Sequence, residues 1–173
     1  MAAEQIAQEK NIRISKNDPL IRAEEITMRE ITEADRESVH EMMRVFYASD
    51  AVDSNGSDEV FRNDIDECLS DSPFLTGYVF VRADESVGGY AMTAHSYCTE
   101  YGMQCVWIED IYLQDDLRGM GLASAFFDYM KEKYPDCIHR LEAEDHNSRA
   151  LEVYRRNGFG VKPYVELYRL PKA

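Results

Sequence analysis

Basic residues are scarce in this chain of 173 residues. Its 19 lysines and arginines stand against 33 aspartates and glutamates, which gives a formal net charge of −14 at pH 7. A field of that sign repels phosphate backbones, so we expect no nucleic acid as a partner. It attracts cations, although many acidic proteins gain only solubility from such a charge.

Long hydrophobic runs are also missing. No stretch approaches the roughly 20 apolar residues that a membrane-spanning helix needs. The polar N-terminus has no apolar segment of the kind found in secretory signals. We therefore expect no membrane partner and a cytoplasmic location. Hydrophobic residues make up 45% and charged residues 30%, which is typical of a single folded domain of this length.

The cysteines do not form the patterns of structural metal sites. There is no C-x-x-C pair, and no histidine lies at zinc-finger spacing from the cysteines, which are Cys68, Cys98, Cys105 and Cys137. We predict no bound metal and expect reduced thiols in or near the core. Cys98 and Cys105 could pair across a hairpin, but a reducing cytoplasm argues against that disulfide.

Periodicity divides the first half of the chain into an extension, a strand and two helices. Residues 1–24 are polar and weakly periodic, so we predict an N-terminal extension before a domain at residues 25–173. Alternation around Ile26 and Met28 predicts a strand at residues 25–31. Apolar residues at helical spacing then predict a helix at residues 33–48 and a second one from Ser57 to the break at Pro73.

The second half begins with three strands joined by short turns, which predicts an antiparallel meander. The strands cover residues 78–82, residues 87–95 and onward, and residues 104–113. A helix at 120–133, a strand at 138–143, a helix at 147–157 and a last strand at 164–170 follow. This order predicts an α+β fold, with a central, mostly antiparallel mixed sheet and helices on both faces.

A glycine-containing loop joins the third meander strand to the next helix. It reads Arg118-Gly119-Met120-Gly121-Leu122-Ala123. Glycines let a ligand approach the main chain, and the first-turn amides of a helix point outward without internal partners. With the helix dipole they form an anion site that suits a diphosphate, and Arg118 adds a matching positive charge.

The last predicted helix carries a second pattern. Asn147 can cap its N-terminus, and Ala150 leaves room between neighbouring helices. Tyr154 follows Ala150 by four residues, so both lie on one helix face. Taken alone, Tyr154 is more simply a half-buried aromatic whose hydroxyl faces solvent.

Together these segments resemble the GNAT superfamily of N-acetyltransferases. Its motif [Q/R]-x-x-G-x-[G/A] is matched by Arg118, Gly121 and Ala123, and N-x-x-A-x-x-x-Y-x-x-x-G-F is matched from Asn147 to Phe159. The resemblance covers about residues 25–170 and implies a GNAT-like acyl-CoA N-acyltransferase fold. The stretch WIEDIYLQDDLRGMG looks closest to the diamine (spermidine/spermine) acetyltransferase branch.

The resemblance also implies a V-shaped opening that holds acetyl-CoA as co-substrate. The pantetheine would pair with main-chain groups of Ile111, Tyr112 and Leu113, and an amide near Ile111 would stabilise the oxyanion. The diphosphate would meet the main-chain amides after the third meander strand. Further residues that the resemblance implies for cofactor binding lie at the starts of the predicted helices at 120–133 and 147–157. They are Arg118, Gly119, Met120, Gly121, Leu122, Ala123, Asn147 and Ala150.

Three side chains are candidates for the chemistry. An alkylamine is protonated at pH 7, so a base must remove a proton, and Glu109 is our candidate. Tyr154 would return a proton to the departing CoA thiolate. Because adjacent strand residues face opposite sides, Asp110 shares the pocket of Glu109 only if a bulge twists the strand. We expect Asp110 to bind a second cationic group of the substrate.

Other functions remain open at this point. The acceptor could be a small amine such as a polyamine, a lysine side chain or protein N-terminus, or an aminoglycoside. A protein of another class, a CoA-binding sensor without catalysis, would not need Tyr154 or Glu109, and both are present. Family resemblance also implies a homodimer, with the strand at residues 164–170 as a candidate contact.

Overall fold

The structure is a computed structural model that describes residues 12–14, 26–52 and 56–171. The strands within these residues are β1 Ile12–Ile14, β2 Ile26–Glu30, β3 Leu75–Val81, β4 Val87–Cys98, β5 Met103–Leu113 and β6 Ile138–Leu141. The helices are α1 Arg36–Tyr47, α2 Asp58–Leu69, α3 Leu122–Lys133 and α4 Ser148–Arg156. A short 3-10 helix, Glu33–Asp35, leads into α1.

The strands form one mixed sheet in the order β1-β2-β3-β4-β5-β6. Neighbouring strands are antiparallel up to β5, and β6 then lies parallel to β5. A parallel pair needs a crossover connection, and α3 supplies it. The predicted meander and the predicted order of elements from β2 to α4 are confirmed, whereas β1 was not predicted.

Helices cover both faces of the sheet, as the sequence predicts. Val39 and Met43 of α1 and Ile65 of α2 are fully buried in a core on one face. Phe126 and Met130 of α3 are buried in a separate core on the other face. These side chains recur at helical spacing, so each amphipathic helix buries its apolar stripe against the sheet.

The predicted strand at residues 164–170 is wrong for this structure. Residues 159–171 contain no helix or strand, and Val165 and Leu167 are 85% and 89% exposed. The segment YVELYRL has apolar residues on both alternating faces, so it suits a strand that is covered on both sides. A strand forms only where a neighbour supplies hydrogen bonds, and none of the described strands pairs with this segment.

Most of the predicted N-terminal extension, residues 1–24, lies outside the described residues, and so does its boundary with the domain. Ile12–Ile14 is the exception, because it pairs with β2 at the edge of the sheet. No helix in the described parts of the chain is both long and apolar enough to cross a bilayer. All four cysteine thiols are free.

Candidate active site

The sheet opens between β5 and β6. The two strands pair only from Cys105 to Ile108 on β5, although β5 continues to Leu113. Beyond Ile108, the edge of β5 that faces away from β4 has no partner among the described strands. Ile111, Tyr112 and Leu113 lie along this free edge. The opening is where the sequence resemblance implied a V-shaped cleft.

The start of α3 faces the end of that open edge. Gly119 and Gly121 have φ angles of +78° and +79°, a backbone region that side chains with a Cβ rarely adopt. The first helical hydrogen bond runs from the Ala125 amide to the Gly121 carbonyl at 3.0 Å. The preceding amides of Leu122 and Ala123 therefore have no intrahelical acceptor, and such amides can hold an anion.

Two arginines flank this loop. The Nε of Arg118 donates to the Leu113 carbonyl at 2.8 Å, and its Nη1 lies 2.6 Å from the Asp115 carboxylate. Arg118 is thus held against the end of β5 and uses one main-chain acceptor of that edge. Arg149 of α4 also reaches the loop, because a Cβ built on Gly119 would lie 4.0 Å from Arg149 Nη2. The sequence motifs did not single out Arg149.

The N-terminus of α4 is capped as predicted. The Asn147 side-chain oxygen accepts from the Ala150 amide at 3.1 Å, so this oxygen positions the helix. At the other end, Asn157 Nδ2 donates to the hydroxyl of Ser124 in α3 at 3.0 Å. This bond ties the end of α4 to the first turn of α3. Asn157 is a second residue that the motifs missed.

Tyr154 lies half-buried between α4 and α3. Its ring contacts Phe127 and Phe159 edge-on at centroid distances of 5.9 and 6.1 Å. Tyr154 packs against the same core as Ile111 and Ala123, so it shares the open side of the sheet with them. Burial raises the pKa of Tyr154, and its hydroxyl therefore stays protonated at neutral pH.

A β-bulge turns Asp110 to the face of the sheet that α1 and α2 cover. Met92 is opposite Asp110 and Thr93 is opposite Ile108, which leaves Glu109 without a partner on β4. Ile108 packs in the core under α3, whereas Asp110 contacts Tyr47 and Tyr90 on the other face. Without the bulge, strand alternation would place Ile108 and Asp110 on the same face.

Glu109 and Asp110 consequently approach the same group of acids. Both lie close enough to Asp64 of α2 for its charge to act on them. The sequence allowed this arrangement only if the strand was bulged, and the structure contains that bulge. Glu109 keeps solvent contact, whereas Asp110 is 5% exposed.

The Asp110 carboxylate is held by two phenol groups. Tyr90 OH donates to it at 3.0 Å, and Tyr47 OH lies 3.2 and 3.4 Å from its two oxygens. Burial raises the pKa of Asp110 to about 6, although these hydrogen bonds oppose the rise. Tyr47 and Tyr90 come from α1 and β4, and no local sequence pattern connects them with Asp110.

The acids on this face lack cationic partners. Among the described residues, Asp64, Glu109 and Asp110 form no ion pair with lysine, arginine or histidine. Partial burial raises the pKa of Asp64 and of Glu109, and the charges of Glu166 and Asp64 raise that of Glu109 further. Unpaired carboxylates of this kind can receive a cation or take up a proton.

Metal ligation is a different matter. Within the described parts of the chain, no group of three or more histidine, cysteine, aspartate or glutamate side chains is arranged to hold a metal ion.

His146 has a structural contact that the sequence motifs did not indicate. Its Nε2 hydrogen-bonds with the Asp50 main-chain oxygen at 3.0 Å. It thereby joins the loop after β6 to the loop after α1.

Comparison with known proteins agrees with this fold. The model of the Acetyltransferase (GNAT) family matches residues 36–159. No curated protein sequence matches the chain. Among solved structures, a possible acetyltransferase from Clostridium difficile 630 is 17% identical with a TM-score of 0.72, covering 85% of this chain and 99% of its own.

Two further structures share the fold. The aminoglycoside N-acetyltransferase AAC(6')-Iy in complex with CoA is 17% identical, with a TM-score of 0.71 and coverage of 86% of this chain and 97% of its own. An acetyltransferase from Trypanosoma brucei is 20% identical, with a TM-score of 0.63 and coverage of 84% and 99%.

Proposed function

Because the chain belongs to the acetyltransferase (GNAT) family, we propose that it moves the acetyl group of acetyl-CoA onto an amine of a small cationic molecule. The arrangement of groups around β5 carries the proposal. Its free edge leads to the unpaired amides at the start of α3, and its bulge turns Asp110 to the opposite face, where Asp64 and Glu109 also lack cationic partners among the described residues. The first feature suits a nucleotide-linked thioester, and the second suits a cationic acceptor.

The donor lies along the open part of β5. Main-chain groups from Ile111 to Leu113 pair with the pantetheine as an added strand would, apart from the Leu113 carbonyl, which accepts a hydrogen bond from Arg118. The amides from Gly119 to Ala123 receive the diphosphate, with Arg118 and Arg149 beside it. Asn147 and Ala150 place α4 so that the donor passes between α3 and α4.

Glu109 removes the proton from the acceptor. Its raised pKa makes it a stronger base than a glutamate with the ordinary pKa of 4.5, and its exposure to solvent gives the proton a route out. The free amine then attacks the thioester carbonyl. The Ile111 amide stabilises the negative charge that develops on the carbonyl oxygen, a contribution of about 3 kcal/mol in comparable sites.

Tyr154 supplies the proton that the CoA thiolate needs on leaving. Because burial raises its pKa, the phenol carries a proton at neutral pH that it can give to the departing thiolate, and it regains a proton from solvent after CoA leaves. The reaction requires no acyl-enzyme, because the attacking amine displaces the thiolate directly.

The acceptor that we favour is a polyamine or another small molecule with more than one ammonium group. Asp110 contributes charge that attracts the second ammonium. An aminoglycoside is the other polycation to test, because AAC(6')-Iy, which shares the fold, is named as an aminoglycoside N-acetyltransferase. Lysine side chains and protein N-termini are the remaining amine acceptors.

The test is a thiol-release assay with acetyl-CoA and a panel of amines, with each product identified by mass spectrometry. Spermidine, an aminoglycoside, a lysine-containing peptide and butylamine span the acceptor classes. We expect release to be fastest with a polyamine. Tight CoA binding without release for any amine would refute the enzyme and favour a non-catalytic CoA-binding sensor.

We also propose that the protein is a homodimer in which residues 159–171 contact the second copy. These residues expose Val161, Val165, Leu167, Tyr168 and Leu170, each at 75% or more. Such apolar exposure is typical of an interface. Sedimentation equilibrium should give twice the chain mass, and truncation after residue 160, which keeps the core residue Phe159, should return a monomer. A monomeric full-length chain would refute this contact.

A further inference from the structure

Asp110 lies close to Glu109 and Asp64, the acids proposed to face the acceptor, but Asp110 itself is sealed from solvent. Only 5% of the residue is exposed, and its oxygens already accept hydrogen bonds from Tyr90 and Tyr47. An ammonium group cannot touch this carboxylate without displacing one of the two phenols. Any influence of Asp110 on the acceptor must therefore pass through a neighbouring side chain.

Tyr47 and Tyr90 differ in the way they hold Asp110. Tyr90 is 1% exposed, and its hydroxyl donates at 3.0 Å, so it is the inner partner. Tyr47 is half-buried at the end of α1, and its hydroxyl lies 3.2 and 3.4 Å from the two carboxylate oxygens. These distances exceed the usual 2.7–2.8 Å of an O–H···O bond, so Tyr47 is the more loosely held phenol.

The charges around Tyr47 all have one sign. Asp110, Asp64 and Glu109 each act on its hydroxyl, and they lie on two different elements, α2 and β5. Burial and these charges raise the pKa of Tyr47, which keeps the proton on its oxygen. A phenol that donates its proton to Asp110 still has oxygen lone pairs, and these accept hydrogen bonds from a cationic donor.

We propose that Tyr47 sets the specificity for the acceptor, because its hydroxyl oxygen accepts a hydrogen bond from a second ammonium group. The negative charge of Asp110, which lies behind this hydroxyl, adds to the attraction. This inference rests on the proposed amine acetylation and names the acceptor as a diamine or polyamine. One ammonium group of the molecule meets Glu109 and loses its proton. The other stays charged beside Tyr47, with Asp64 facing it from α2.

A matched pair of acceptors isolates the second charge. 1,5-Diaminopentane and pentylamine have the same carbon chain and differ only in one terminal ammonium group. We expect the wild-type protein to prefer the diamine in kcat/KM. Tyr47→Phe should lower this preference about tenfold, because it removes one hydrogen bond to a charged group, and the loss should fall on KM.

Tyr90→Phe is the control variant, since it removes a phenol from the same carboxylate without removing a group from the acceptor side. It should lower the melting temperature and keep the wild-type preference for the diamine. A Tyr90→Phe protein that loses the preference as fully as Tyr47→Phe would overturn the assignment. So would a Tyr47→Phe protein with the wild-type preference.

Calorimetric binding of both amines to the CoA complex separates this inference from the proposed reaction. If no amine is acetylated but the diamine binds more tightly than pentylamine, and only Tyr47→Phe abolishes the difference, the reaction is wrong and the Tyr47 site stands. If amines are acetylated but bind alike in all three proteins, the Tyr47 site is wrong and the reaction stands.

Discussion

Asp110 destabilises the folded protein when it is ionised, and asparagine at this position should relieve that cost. Its carboxyl is buried with phenols but without a cation, which raises its pKa from 3.8 to about 6. A raised pKa means that folding favours the protonated form. The protein is therefore free of this cost below about pH 4, where Asp110 is protonated in the folded and the unfolded chain. The free energy of unfolding then falls as the pH rises through about 6, where Asp110 ionises in the folded protein.

The size of the effect follows from the shift. A rise of about two units corresponds to roughly 3 kcal/mol at pH 8, at 1.4 kcal/mol per unit. About half of that cost is already present at pH 5, because most of the unfolded chain's Asp110 is ionised there. Asp110→Asn also weakens the bonds from Tyr47 and Tyr90, so we expect a net gain of about 2 kcal/mol at pH 8.

Urea unfolding at pH 8 and pH 5 tests this reasoning. Asp110→Asn should be more stable than the wild type at pH 8, and the advantage should shrink at pH 5. Asp35 is the matched control, because it is buried but paired with Arg29 at 2.6 Å, which helps lower its pKa. Asp35→Asn should lose stability at pH 8. An Asp110→Asn protein that is less stable than the wild type at pH 8 would refute the account.

Three predictions concern activity. Tyr154→Phe should lower kcat at least ~100-fold and leave CoA affinity nearly unchanged, which rapid-quench kinetics and calorimetry can measure; equal turnover would remove Tyr154 from the mechanism. Arg149→Ala should raise the Kd of CoA several-fold and flatten its dependence on salt, whereas an unchanged Kd would place Arg149 away from the phosphates. The acid limb of the pH profile of kcat/KM should lie above pH 4.5, the ordinary glutamate pKa. It should move to lower pH in Asp64→Asn, because that variant removes a negative charge that raises the pKa of Glu109. An acid limb that does not move would argue against Glu109 as the base.

Local sequence patterns predicted most of the elements because each helix and strand buries a face with its own period. They also marked the loop at Arg118 and the cap at Asn147, where the chemistry depends on residues close together in sequence. The strand at residues 164–170 was wrong, since alternation describes a strand's faces and not the partner that it needs. Pairing is a property of the whole sheet.

The surroundings of Glu109 and Asp110 were only partly predictable, because they also depend on how the whole sheet pairs and packs. The bulge at Glu109 carries no glycine or proline to mark it, and it appears only when the registers of β4 and β5 are compared. Tyr47 lies 63 residues before Asp110 and reaches it through the packing of α1 on the sheet. Long-range contacts of this kind have no local signature.

In the proposed reaction, the acids Asp64, Glu109 and Asp110 and the free edge of β5 serve opposite electrostatic needs. A donor with phosphates requires positive potential, which arises from helix amides and from Arg118 and Arg149 on the α3 side. A cationic acceptor requires negative potential, which the bulge supplies by turning Asp110 to the α1 and α2 side. Asp110 and the start of α3 lie on opposite faces of the sheet, so Asp110 does not pair with these arginines before the substrates arrive. Ionised Asp110 reduces stability, and in the proposed reaction a bound cation would restore it, so the group that destabilises the free protein would favour the charged acceptor.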